Sequence, residues 1–294
     1  KNGKFNFSGP NVGFVVQVTP AGFVPKPFPR LAEESDKALV GHLASPSAVY
    51  RLHASRELLR RGPGEGRIDQ VANLAANSDA NVASRAAAVF TLGQFPDKSV
   101  IRRLLQLATH GETREFAFRA LTDRTGRLKD VPTTPFLDGL KDSNPRVRAQ
   151  ALISLGRLKR PETAKSILPH TSRKSRPPQV AAPLRHKQPD PDRVIPHLAV
   201  RALVSVGNTK TLLEGLDGPH HAGAQWALKS VHSREAVEGL IKKLSTQRDD
   251  ARRQATLTTL IRLYHHEGDY TGDWWGTRPD TSGTYYDRTS WTAS

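Results

Sequence analysis

The chain contains no cysteine and no methionine in 294 residues. Without thiols this stretch has no disulfide, no thiolate metal site, no Cys nucleophile and no C-x-x-C-H attachment for a c-type haem, and its redox compartment stays open. Methionine is missing even at position 1, which is Lys1, so the chain reads as a processed or excised piece of a longer parent. No run of about 18 apolar residues is present, so no membrane-spanning segment is expected. The start lacks the apolar stretch of a signal peptide. The common nucleotide, hydrolase and zinc-protease signatures, GxxxxGK[ST], GxSxG and HExxH, are also missing. Gly62-Pro63-Gly64-Glu65-Gly66 follows a predicted helix rather than a strand and reads as a turn between repeats. No cofactor is implied by any of these patterns.

What the sequence has in excess is positive charge. Its 44 Lys and Arg against 28 Asp and Glu give a net charge of +16, which favours an acidic protein face, nucleic acid or an anionic membrane surface as partner. One local basic cluster stands out, Arg173, Lys174, Arg176, Arg185 and Lys187. No aromatic residue interleaves it, which weakens a single-strand-binding reading.

The organising signal is a repeat. The pattern Arg-x-x-Ala-x-x-x-Leu occurs at Arg51/Ala54/Leu58, Arg85/Ala88/Leu92, Arg114/Ala117/Leu121 and Arg148/Ala151/Leu155. Degenerate copies follow at His221/Ala224/Leu228 and Arg252/Ala255/Thr259, with a looser one around Ala199, Ala202 and Val206. Each copy is preceded by a second apolar stretch of helical period, such as Leu39 and Leu43, and by a short turn such as Asn77-Ser78-Asp79 or Ser143-Asn144-Pro145. The unit is helix, tight turn, helix; a glycine after the second helix, at Gly62, Gly93, Gly156 and Gly207, suggests a left-handed C-terminal cap. Arg, Ala and Leu at this spacing share one stripe of the second helix. The small Ala admits a neighbouring helix, Leu fills the layer, and Arg reaches a turn carboxylate such as Asp79 or Asp142. One helix pair cannot bury both faces, so stacked neighbours must complete the core. The expected fold is all-α, a right-handed α-solenoid of about seven helix pairs.

The segments SPSAVYRLHASRELLRRG, SDANVASRAAAVFTLG and DSNPRVRAQALISLG resemble HEAT repeats of the compact bacterial type, over roughly residues 35–267. Two flanks add to this. GFVVQVTPAGFVPKPFPRL reads as one strand, Phe14 to Val18, and a Pro/Gly-rich linker; YHHEGDYTGDWWGTRPDTSGTYYDRTSW is aromatic and rich in turns. Together they resemble a family of large extracytoplasmic bacterial dehydrogenase-like proteins, in which a sugar-dehydrogenase-type β-propeller precedes helical repeats and often a c-type cytochrome domain. The resemblance implies that residues 1–34 close a preceding β-domain, that 35–267 form the array, that 268–294 cap it or dock a neighbour, and that the location is periplasmic. The family's quinone-binding and haem-binding residues have no counterpart here, so no catalytic residue carries over.

Candidate interaction residues lie in the tail: Trp274, Trp275, Arg278, Tyr285, Tyr286 and Trp291 either cover the last repeat or anchor a neighbouring domain. His220-His221 and His265-His266-Glu267 are the best metal candidates, but adjacent helical residues point about 100° apart and cannot chelate one ion. Asp269, Asp273 and Asp280 miss the EF-hand spacing. The segment from Thr171 to Arg193, with five prolines, breaks the repeat period as an insertion. The expected function is therefore a non-catalytic scaffold or interdomain docking segment for protein partners. A basic groove for nucleic acid, as in repeat-fold DNA glycosylases, and an enzyme with an unrecognised site are the alternatives.

Overall fold

The structure, a computed structural model, describes residues 18–24, 27–172, 190–267 and 288–293. Among these the chain forms seven successive helix pairs: α1 (Asp36–Leu43) with α2 (Ala48–Arg60), α3 (Glu65–Ala76) with α4 (Val82–Gln94), α5 (Ser99–Leu107) with α6 (Arg114–Thr122), and α7 (Thr134–Gly139) with α8 (Pro145–Leu158). The fifth pair joins α9 (Ala164–Ile167), extended by 3-10 turns at Pro161–Thr163 and Leu168–Thr171, to α10 (Pro191–Val206). Then come α11 (Thr209–Gly215) with α12 (His221–Leu228) and α13 (Arg234–Thr246) with α14 (Asp250–Leu263). Two-residue strands β1 (His266–Glu267) and β2 (Arg288–Thr289) pair antiparallel beyond the last helix. Each even-numbered helix packs on its partner and on the even-numbered helices before and after it, so α2 through α14 form one continuous row. This is an α-solenoid, stabilised by nearest-neighbour layers.

Local chemistry explains where the helices start and stop. Asn81, Asn144 and Asp249 accept from backbone amides in the first turns of α4, α8 and α14, and Pro145 occupies the first position of α8. The repeat arginine holds the turn itself. Arg51 donates to the carbonyls of Ser45 and Pro46 at 2.7 and 2.8 Å, and Arg148 to those of Asp142 and Ser143 at 2.8 Å each. Arg85 reaches the Ala75 carbonyl that ends α3. Carboxylate pairing, expected from the sequence, is limited: Arg114 meets Asp142 at 2.7 Å, while Arg85 pairs with Glu112 rather than Asp79. Carbonyls at a helix end need donors more than the arginine needs a counter-charge.

The leucines Leu58, Leu92, Leu121, Leu155, Leu203, Leu228 and Leu260 occupy equivalent places in the seven second helices. From α4 to α10 the residue just after one such leucine meets the residue just before the next. A Cβ added at Gly93 would lie 3.0 Å from the Ala120 Cβ, and one at Gly156 would lie 3.1 Å from the Ala202 Cα. Between them Thr122 and Ser154 meet through their hydroxyls at 3.0 Å. Gly93 and Gly156 are thus interior residues of α4 and α8, not the caps expected from sequence; the caps are Phe95 and Lys159. A glycine inside a helix costs about 1 kcal/mol relative to Ala, and here the close approach of the next helix requires it. Gly62 and Gly207 do have positive φ, 77° and 71°, and end α2 and α10 as expected.

This register corrects two of the weaker copies. Gln225 of α12 donates to the Ala255 carbonyl and to the Thr259 hydroxyl, as the Thr91 hydroxyl of α4 lies 2.8 Å from that of Ser55 of α2. The last copy is therefore Arg253/Thr256/Leu260, one residue later than expected, and Arg253 donates to the Leu244 carbonyl at 2.9 Å as the turn arginine. In α10 the equivalent leucine is Leu203, with Ala199 and not Ala202 in the alanine place. The expected insertion also ends earlier than Arg193, because Asp190 caps α10 and Pro191 begins it.

Ala88 and Ala151 are fully buried in this row, whereas Ala83 is exposed on α4. Ala88→Asp or Ala151→Asp leaves an unpaired charge in a closed layer and should destabilise by about 3 kcal/mol or more. Ala83→Asp should stay within about 0.5 kcal/mol. Urea midpoints of the three variants check both.

Candidate functional site

The second helices turn one side away from their partners, and the composition of that side is uneven. On α2 and α4 it carries Val49, Leu52 and Val82, exposed by 56, 58 and 44%. Phe90 of α4 packs edge-on against Phe116 of α6, ring centroids 5.9 Å apart. The Arg119 guanidinium lies 5.5 Å over the Phe90 ring.

Ion pairs edge these residues. Arg146 of α8 meets Glu115 of α6 at 2.8 Å, a hydrogen bond that raises the guanidinium pKa. Asp123 bridges Arg119 at 3.3 Å and Arg157 at 2.5 Å. At the N-terminal border, Glu57 bonds Arg60 at 2.7 Å and Arg61 at 2.8 Å, and Arg61 continues to Asp36, which Arg67 also holds. Bonds from Arg60 and Arg61 outweigh burial and hold the Glu57 carboxyl down at about 2, against an ordinary 4.5. For Asp36 burial pushes upward, and the bonds from Arg67 and Arg61 still bring it below the usual carboxylate range. In these clusters six arginines meet four carboxylates, so a net positive charge remains.

Beside a cavity of about 410 Å³ at the first pair, lined by Phe28, His53, Arg56 and Glu57, two more adjoin the array. One of about 310 Å³ between α12 and α14 is lined by Gln225, Trp226, Lys229, Arg252 and Thr256, with Lys243, which is paired to Asp217, at its rim. The other, about 520 Å³, lies among Asp97, Asp123, Arg124, Arg127 and Asp130. Arg127 there donates to the carbonyls of Gly93 and Phe95 that end α4, and burial lowers its pKa. Arg127 has a structural task, closing the end of a helix.

The basic cluster Arg173, Lys174, Arg176, Arg185 and Lys187 lies outside the described residues, as do Trp274, Trp275, Arg278, Tyr285, Tyr286, the strand expected to start at Phe14, and Asp269, Asp273 and Asp280. Trp291 is described. Its indole N–H donates to the Leu263 carbonyl at 2.7 Å and its ring meets His232 edge-on at 5.6 Å. The histidine pairs are separated by their bonds: His220 lies 3.2 Å from the Ser172 hydroxyl and His221 3.3 Å from the Gly218 carbonyl, while His266 lies against Thr289. Among the described residues no three His, Asp or Glu side chains gather as metal ligands, and no helix is long and apolar enough to cross a membrane. Val49, Leu52, Val82 and the Phe90–Phe116 pair were missed by sequence reasoning, which tracked the buried positions of each repeat; the signal was there in the apolar residues one turn off the buried stripe.

An array of stacked helix pairs with an open apolar and basic face defines a repeat protein of the α-solenoid class. The HEAT repeat family model matches residues 134–160, the α7–α8 pair. No curated protein matches the chain in sequence. Among solved structures the chain is similar to the complex of CpcE and CpcF of phycocyanin lyase from Nostoc sp. PCC7120, at 14% identity and TM-score 0.40, covering 85% of this chain and 99% of that one. It is also similar to an engineered protein, at 16% identity and TM-score 0.37 over 78% of this chain and 68% of that one. A designed armadillo repeat protein in complex with the peptide (KR)4 matches at 13% identity and TM-score 0.28, over 78% of this chain and 100% of that one.

The depressed Glu57 pKa ties the first pair to acid. The stability it contributes is complete above its unfolded pKa near 4.5 and is lost as pH falls towards 2. Melting temperature should decline over that window, and Glu57→Gln should be less stable at neutral pH and decline less steeply. Equal slopes for the two proteins would show that the Arg60–Glu57–Arg61 cluster carries no such linkage.

Proposed function

We propose that this chain is a non-catalytic interaction segment, in which the open face of the second helices docks another protein or a neighbouring domain of the same parent. The observations that carry this reading are the exposed apolar side chains Val49, Leu52 and Val82 on adjacent second helices and the Phe90–Phe116 pair that joins the next two. Exposed apolar groups of this size are stabilised by burial at about 25 cal/mol per Å², and a surface with an apolar centre and a polar, ion-paired rim has the anatomy of a protein interface. The Pro/Gly-rich N-terminal flank and the aromatic C-terminal flank support the finer reading: the parent is a large extracytoplasmic dehydrogenase-like protein whose catalytic and electron-transfer domains this array holds in place. Nucleic acid is the competing partner on the strength of the +16 net charge, but phosphate contacts leave the exposed apolar residues Val49, Leu52 and Val82 unused.

A photo-crosslinking residue placed at Leu52 or at Val82, in the native cell, should capture products that protease removes. The same residue at Ile241, exposed by 55% on first helix α13, should capture far less. Products removed by nuclease, or equal capture at Ile241, would contradict a protein-docking face.

A further inference from the structure

One register position on the open face has a pattern of its own. Two residues before the equivalent leucine, the first six second helices carry Arg56, Phe90, Arg119, Ile153, Arg201 and Trp226. Cation and apolar side chain alternate from one repeat to the next. Arg56, Arg119 and Arg201 are exposed, and Phe90, Ile153 and Trp226 are half-buried, so all six reach the surface. Successive members touch across helices where Arg119 lies over Phe90. The row ends at the 310 Å³ cavity beside Trp226, where Lys229 and Arg252 add two more cations.

The charges of the row are not all neutralised. Arg119 shares Asp123 with Arg157, but Arg56 and Arg201 have no carboxylate partner among the described residues. Arginine is suited to this place, since its guanidinium is weakly hydrated, stacks on aromatic rings and takes carboxylates in bidentate fashion. A ligand that satisfies the row must offer an anion to every second helix and an apolar group to the helices between. A nucleic acid strand offers a phosphate at every step, whereas every second place on the row is uncharged. An extended polypeptide with acidic and apolar residues in alternation offers both groups at the right places. Packed helices lie about 8–10 Å apart and an extended chain advances about 3.3 Å per residue, so one repeat corresponds to about three residues.

We propose that this row is a docking track for an acidic, extended polypeptide segment whose carboxylate and apolar side chains alternate at intervals of about three residues. The proposal rests on the protein-docking reading above and specifies the partner's chemistry. Arg56, Arg119 and Arg201 take the carboxylates; Phe90, Ile153 and Trp226 take the apolar side chains.

The test uses a fluorescent synthetic peptide of about 16 residues with Glu and Leu alternating every third position on a Ser/Thr background, titrated with the 294-residue chain at moderate salt. Three ligands accompany it: the same composition with Glu clustered at one end, the same peptide with every Leu replaced by Ser, and oligo(dT) of equal charge. The spaced peptide should bind best, and the clustered and Leu-free peptides about tenfold more weakly. Arg56→Glu with Arg201→Glu should weaken the spaced peptide by about tenfold or more. Lys165→Glu with Lys242→Glu, an equal charge change on first helices, should leave it within about twofold; circular dichroism melts confirm that both variants fold. Equal binding of the clustered peptide, equal loss with the two charge variants, or tighter binding of oligo(dT) would overturn the proposal. So would failure of the spaced peptide to bind while Leu52 and Val82 still crosslink protein, a result that leaves the docking reading standing.

Discussion

The array depends on how closely consecutive second helices approach. Where the residue after the repeat leucine meets the residue before the next one, the pairs are Gly93 with Ala120, Thr122 with Ser154, and Gly156 with Ala202. None has room for a larger side chain, since protein interiors pack at crystal-like density. Two of the three contacts are of backbone and methyl; the third is a hydroxyl pair whose oxygens, being buried, must bond each other or the Phe118 carbonyl. This contact sets the rotation of each second helix about its own axis. Once that is set, the side turned to the partner helix, the side turned to the neighbours and the open side are fixed together.

The ends of the array show the same constraint by its absence. In the first pair, which has no second helix before it among the described residues, the place of the small residue is taken by Glu57, bound by Arg60 and Arg61 beneath the incoming turn at Leu31–Glu33. In the last pair the places that elsewhere face the next helix are Leu257 and Ile261, exposed by 42 and 68%. The end of α14 is partly closed by Trp291, bonded to Leu263, and by the β1–β2 pair. The open side of the row, with its alternation of arginine and apolar groups, follows from the register.

Much of the fold is legible in the sequence because its signals are local and redundant. Ala54, Ala88, Ala117 and Ala151 recur with Arg and Leu at constant spacing, and Asn81, Asn144 and Pro145 mark the turns. The errors fall where one residue type serves two physical ends. Glycine near the end of a second helix serves either as a cap or as a close-contact residue: Gly62 and Gly207 stand four residues after the repeat leucine and cap, whereas Gly93 and Gly156 follow it directly and meet the next helix. In α14, adjacent Arg252 and Arg253 with Thr in place of Ala blur the register by one residue, and the bond from Gln225 to Thr259 resolves it. The candidate site was less legible, since aromatic and basic clusters drew attention to the segments around Arg173 and Trp274, whereas Val49, Leu52, Val82 and the Phe90–Phe116 pair have no motif.

The central claim, that a steric contact between second helices sets the register, is tested by moving one methyl across it. Gly93→Ala adds a Cβ 3.0 Å from that of Ala120, and Ala120→Gly removes the group it meets. Helix propensity changes by about 1 kcal/mol in opposite directions at the two sites and cancels in the pair. A double-mutant cycle read from urea unfolding should give the exchange variant a stability within about 0.5 kcal/mol of the parent, and a favourable coupling of about 1 kcal/mol or more. Additive single effects, with coupling near zero, would mean that the two helices do not meet there and that the register is set elsewhere.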